Sequence, residues 1–167
     1  MARVVRIRFL VLLALAASFA AGALLPAFGK SAEGVTVVRN ALAQTSAVQG
    51  APDRTMVLSR VKVPSGAVLS LHRHQGTQIA RIQSGTLTYT VRSGSVTVRK
   101  GEADQDAQVV RTIKAGQRGE IHAGEWIVEQ PSVAHEATNL GGKPVVLYIA
   151  TLLETGAPPS TPVTPSP

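Results

Sequence analysis

The chain has 167 residues, of which 44% are hydrophobic and 4% aromatic, and it contains no cysteine. The missing thiols exclude disulfides, thiolate metal ligands, a cysteine nucleophile and a lipid-modified cysteine, and the scarcity of aromatics argues against a base-stacking nucleic-acid surface. The formal net charge is +7, but three of the 17 Lys and Arg and none of the 10 Asp and Glu lie in residues 1–29, so 14 basic side chains face 10 acidic ones in the remainder; spread along the chain, that excess is a mildly basic solvated surface and calls for no nucleic-acid partner.

Arg3, Arg6 and Arg8 precede an apolar stretch from Phe9 to about Phe28. A basic start, an apolar core and small residues at Ala21 and Ala23, or Ala27 and Gly29, form a secretory signal pattern over residues 1–29. An uncleaved anchor is the alternative, since about 20 apolar residues span a bilayer; Gly22 and Pro26, late in the stretch, favour cleavage. The expectation is an exported protein, secreted or periplasmic, that meets a membrane only if this segment is retained.

Beyond it, Val35–Val38 is a β-branched run that suits a first strand. Residues 40–53 are small and polar, with one or two helical turns possible at 41–48 and a turn at Gly50, Pro52 and Asp53. From Met56 the chain reads as strand after strand: MVLSRVKV, AVLSLHRH, TQIARIQ, TLTYTVR and SVTVRK, parted by Pro64-Ser65-Gly66, Gln75-Gly76, Ser84-Gly85 and Ser93-Gly94. EADQDA at 102–107 reads as a loop. QVVRTIK, two short extended pieces around Gly124, HEATNL and the apolar PVVLYIATLL follow. This hairpin rhythm is that of an antiparallel sandwich or barrel. Thr155–Pro167, rich in Pro, Ser and Thr and uncharged, reads as a mobile tail.

Residues two apart on a strand share a face, so Ser70, His72 and His74 point one way. If Gln78 faces inward, so do Ala80 and Ile82, with Ile79 and Arg81 outward. His135, Ala137 and Asn139 share a face as well. Three imidazoles and a neutral amide oxygen can thus converge on one metal ion inside a barrel, although two strand histidines can also simply face solvent. His122 reads as a surface residue, Glu136 as turned away from any ion, and Glu125 and Glu129 as solvent-facing. Trp126 reads as core or rim, Tyr89 and Tyr148 as core or sheet-face residues, and Asn139 as a strand-end residue bonded to backbone. There is no Gly-rich phosphate loop and no Gly-x-Ser-x-Gly elbow.

With its glycines the first stretch runs Gly66, five residues, His72-Arg73-His74, three residues, Gln78, six residues, Gly85. This spacing resembles the first motif of the cupin superfamily. Gly124 through Pro131 and His135 to Asn139 resemble the second, except that Pro131 stands one place late and the glycine expected after it is absent from PSVAH. The resemblance implies an all-β fold, a double-stranded β-helix or jelly-roll barrel, over residues 35–153, followed by the tail at 154–167. It also implies a divalent ion (Mn, Fe, Ni, Cu or Zn) in the barrel mouth, held by His72, His74, Gln78 and His135. Gln78 departs from the glutamate usual there. An amide leaves the charge of the ion uncompensated, is the weaker ligand, and cannot act as a general base. Three functions follow: a metal-dependent oxidoreductase of dioxygenase type acting on a small organic molecule; a module that binds a small molecule or metal without turnover; or a metal-free barrel. Such barrels pair by their edges, so a homodimer is expected if Ile79, Leu69 and Leu71 face outward and do not pack against a second sheet.

Overall fold

A computed structural model describes residues 35–164. The signal-or-anchor segment at 1–29 lies outside the described residues, and among those described no helix is long and apolar enough to cross a membrane. Twelve strands follow one another: β1 Val38–Thr45, β2 Arg54–Val63, β3 Val68–Arg73, β4 Gly76–Ser84, β5 Thr86–Ser93, β6 Ser95–Lys100, β7 Gln108–Lys114, β8 Arg118–His122, β9 Glu125–Glu129, β10 Ala134–Thr138, β11 Val145–Glu154 and β12 Thr161–Pro162. They form a seven-stranded sheet in the order β1-β2-β11-β4-β9-β6-β7 and a five-stranded sheet in the order β12-β3-β10-β5-β8. The paired strands are antiparallel, as the short hairpin spacing requires. The expected jelly-roll barrel is the observed architecture.

Alternation of side chains builds the core. Ser59, Val61 and Val63 on β2, Ala80 and Ile82 on β4, and Leu147 and Ile149 on β11 are buried, while Ile79 stays 46% exposed. Each fully buried Val or Ile side chain contributes about 1.5–3 kcal/mol relative to leaving it in water. Across the sandwich Leu87, Tyr89 and Val91 on β5 and Ile121 on β8 close the other wall. Leu69 packs against this core, so of the two alternatives for Leu69 it meets the second sheet. Gly85 ends the β4–β5 hairpin at φ +85°, with a would-be Cβ 3.0 Å from Val145 Cγ2; a side chain there would be both strained and crowded.

Two expectations fail. Residues 41–48 are not helical: β1 extends to Thr45 along the free edge of β2, with a register shift between Ala41 and Ala43. Its residues are mostly exposed, so no apolar face existed to hold a helix against the core. The segment read as a tail from 154 is also not free. Glu154 completes β11, Thr161 and Pro162 pair with Arg73 and His72 on β3, and the Val163 amide donates to the Leu71 carbonyl at 3.1 Å. A Pro-rich segment is already extended, and Pro162, lacking an N–H, is tolerated on a sheet edge.

Candidate metal centre

His72 and His135 are partners across β3 and β10, and both flanking ladders slip beside them. His135 opposes His72 but Ala137 opposes Leu69, so β3 carries one extra residue there. On the other side Ala134 opposes Ser93 while His135 opposes Val91, so β5 carries another. Bulges of this kind re-aim side chains. The one in β3 breaks strict alternation: Leu69 packs on the core, Ser70 is exposed, and His72 nevertheless joins the histidine cluster. Of the three residues expected on one face, the two histidines join the cluster, while Ser70 is exposed and borders the same cavity.

One ring nitrogen from each of His72, His74 and His135 lies within 4.8 Å of the other two. Backbone carbonyls preset two of the rings. His72 Nδ1 donates to the Ser70 carbonyl at 2.6 Å, and His74 Nδ1 donates to the Pro159 carbonyl at 2.6 Å. A carbonyl only accepts, so both rings carry a proton on Nδ1 and direct Nε2 to the cluster, the orientation in which Nε2 can ligate a metal. His135 differs. Its Nε2 faces Glu129 Oε1 at 3.2 Å, and its buried Nδ1 has no hydrogen-bond partner; the Val133 backbone is near enough to favour the charged ring but not aligned to bond it.

Glu129 is the residue that the sequence reading misplaced. Expected to face solvent, it is 2% exposed and lies beside His74 and His135. Tyr89 Oη donates to its Oε1 at 2.6 Å, Gln78 Nε2 donates to its Oε2 at 2.5 Å, and His74 Nε2 is 3.5 Å from Oε2. The other Gln78 amide hydrogen points to His74 Nε2 at 3.2 Å, and Gln78 Oε1 is buried without a partner. Strand parity from Ile127 would have placed Glu129 inside, because both belong to the inward row of β9. The only contrary signal was its charge.

Burial alone would raise the Glu129 carboxyl pKa, but His135, His74 and the Tyr89 hydroxyl outweigh that and hold it well below the carboxylate range. Burial also lowers the His72 pKa to about 3, with help from His135 and His74, and lowers that of His135 against the pull of Glu129. Burial and then Glu129 push the Tyr89 hydroxyl upward, so it remains a donor. Tyr89 also stacks on His135, with centroids 4.9 Å apart and an 18° tilt. The result is an ionised carboxylate buried beside the imidazole nitrogens of His74 and His135.

Gln78 and the three histidines of the expected set are thus together. Of the other weighed residues, Tyr89 and Glu129 join them and the following do not. Asn139 is fully buried and structural: its Nδ2 donates to the Val63 and Lys143 carbonyls, both at 2.9 Å. His122 is exposed, Glu136 pairs outward with Arg92 at 2.6 Å, and Trp126 Nε1 donates to the Gly101 carbonyl at 3.0 Å. Glu125, also expected in solvent, is buried because Arg111 clasps it with both terminal nitrogens, at 3.1 and 2.5 Å.

The cluster lines a cavity of about 250 Å³ whose walls are mostly aliphatic, among them Val61, Val63, Ile82, Ile127 and Ile149. Pro159, Ser160 and Pro162 of the C-terminal segment and Arg39 of β1 complete its lining. None of these four was singled out from the sequence.

No family model and no curated protein matches the chain. Among solved structures it is similar to an L-ribose isomerase from Geodermatophilus obscurus (TM-score 0.57, 12% identity, 77% of this chain and 70% of that one). A polyketide cyclase from Streptomyces resistomycificus (TM-score 0.51, 19% identity, 78% and 72%) and a cupin 2 domain-containing protein from Halorhodospira halophila (TM-score 0.50, 12% identity, 77% and 70%) share the architecture. At such identities the likeness speaks for the fold alone.

Proposed function

We propose that this chain, whose fold is that of the cupin superfamily, binds a divalent metal ion through His72, His74 and His135, with Glu129 supplying the anionic ligand or its charge, and uses that centre to hold a small organic molecule in the aliphatic cavity. The observation that carries this reading is the pairing of two carbonyl-fixed imidazoles and a third ring with a buried, ionised carboxylate. A divalent ion would compensate the carboxylate and accept the free lone pairs, and the unpartnered Gln78 Oε1 offers a further oxygen. His, Glu and amide donors suit Mn, Fe, Ni, Cu or Zn.

Such an ion would supply a Lewis-acidic centre with positions left open to a ligand oxygen. Around it, Tyr89 and Gln78 orient Glu129, Ser70 and Pro159 fix two rings, and the aliphatic walls exclude water and favour an apolar ligand body. Oxidative turnover of dioxygenase type is the enzymatic form of this proposal. Binding without turnover is favoured by one observation: both Glu129 oxygens already accept hydrogen bonds, which leaves no unengaged carboxylate as a base. We read residues 1–29 as the export signal of this module.

The test is the metal content of the purified chain after reconstitution with each of the five ions, for wild type and for His72→Ala and His135→Ala. About one ion per wild-type chain, lost in both variants, is expected. Less than roughly a tenth of an ion per wild-type chain under every condition overturns the proposal. Oxygen uptake by the loaded protein with flavonols, diketones and thiols then separates turnover from binding, and cell fractionation checks export.

A further inference from the structure

Arg39 is a charged residue inside the barrel to which the metal centre gives no role. It follows the buried Val37 on the same face of the chain, pairs with the buried Val61 across the β1–β2 ladder, and lines the cavity. Its neighbour Val38 is turned to solvent, 46% exposed. Alternation therefore directs the Arg39 side chain inward. Burial lowers its pKa, opposed by the charge of Glu129, which places the guanidinium within electrostatic reach of the centre.

Among the described residues Arg39 has no hydrogen bond or ion pair with any side chain. The cluster carboxylate is not bonded to it: Glu129 accepts from Tyr89 at Oε1 and from Gln78 at Oε2. Arg39 also borders a second cavity of about 160 Å³, where the one acidic residue, Glu154, faces Arg54 at 3.7 Å. Arg39 is half-buried, so its guanidinium loses part of its water with no anion to replace it, and its planar fork matches a carboxylate.

We propose that Arg39 is the anion-recognition residue of the cavity, and that the ligand is a small organic carboxylate whose apolar body lies along the aliphatic walls between Arg39 and the histidine cluster. The proposal builds on the binding role given to the cavity above and adds the chemical class of its ligand. Shape and charge agree. The cavity lining offers one guanidinium on β1, the nitrogen and oxygen atoms of the cluster, and Val, Ile and Leu side chains. A neutral ligand of the same shape would leave Arg39 unpaired, and that is the physical source of the selectivity.

Three carboxylates (benzoate, phenylacetate and hexanoate) and their three amides serve as probes, titrated calorimetrically into the full chain in metal-free and Zn²⁺-loaded forms. We expect at least one carboxylate to bind about tenfold more tightly than its amide. The preference should vanish in Arg39→Gln and Arg39→Ala and be partly kept in Arg39→Lys, with thermal unfolding showing that each variant is folded. If no carboxylate shows an advantage that depends on Arg39, the proposal is overturned. Metal content is measured in the same samples. Failure to take up Zn²⁺ counts against the metal centre, while the metal-free titrations still decide the role of Arg39.

Discussion

Gln78 and Glu129 stand opposite each other on β4 and β9, and the amide nitrogen of one lies 2.5 Å from the carboxylate of the other. The position where the motif that the sequence resembles carries a carboxylate is occupied by the amide, and the carboxylate sits one strand over. The charge that seemed missing from the first motif is therefore present in the site.

This relationship makes a charge swap informative. Glu129→Gln should weaken metal retention about tenfold or more. Gln78→Glu alone sets two carboxylates side by side, so it should destabilise the metal-free protein and make its melting temperature depend on added metal. The double variant Gln78→Glu, Glu129→Gln returns the charge on the other strand and should recover retention to within about threefold of wild type. Competition with a chelator measures all three. A double variant no better than Glu129→Gln would mean that the strand, and not the charge, decides.

The C-terminal segment should matter to the metal although it contributes no ligand. Pro159 fixes the His74 tautomer, and Gln75 Nε2 donates to Thr161 Oγ1 at 3.1 Å to hold the segment down. Deleting residues 159–167 should reduce metal affinity about 10–100-fold, the usual effect of losing a partner of a ligand histidine. Equilibrium dialysis against Zn²⁺ reads it, and unchanged affinity would show that the Pro159 carbonyl has no part in presenting His74.

The Glu125–Arg111 pair sets an acid dependence. Burial would raise the Glu125 pKa, but the Arg111 hydrogen bonds and the His122 backbone amide bring it below the ordinary value of 4.5. A lowered folded-state pKa stabilises fully above that ordinary value and ceases to do so as the pH falls through the folded one. Arg111→Met should cost about 2 kcal/mol at about pH 7, and the difference from wild type should narrow as the medium is made more acidic than the ordinary carboxylate value. Urea unfolding across this range tests it; a constant difference would rule out titration of Glu125 as its source.

Gly76 opens β4 beneath β11, where an added Cβ would lie 2.1 Å from the Leu152 carbonyl oxygen. Backbone atoms in a paired ladder have little freedom to move aside. Gly76→Ala should therefore cost about 3 kcal/mol and lower the melting temperature, whereas Gly142→Ala, with nothing within 4 Å, should cost far less. Equal melting of the two variants would show that β11 yields at Leu152.

Much of the architecture was legible because strand alternation and glycine turns leave a regular record. Gln78, Ala80 and Ile82 faced inward as their spacing required. The histidines were legible as a group, but the way His72 is presented was not, since a bulge in β3 changes parity without any marker residue. Glu129 was missed because an acidic residue on a strand ordinarily faces water, and its burial is made tolerable by His74, Gln78 and Tyr89, all distant in sequence, and by His135. Arg39 and Pro159 were missed for a related reason: each gains its meaning from a neighbour far along the chain.

The order in which the chain is made bears on when the centre can exist. His74 is not held in its donor form until the carbonyl of Pro159, 85 positions later, has arrived. A nascent polypeptide in which residue 159 has not yet emerged from the ribosome can pair β3 with β10 yet lacks this partner of His74, so the proposed metal capture would await its arrival.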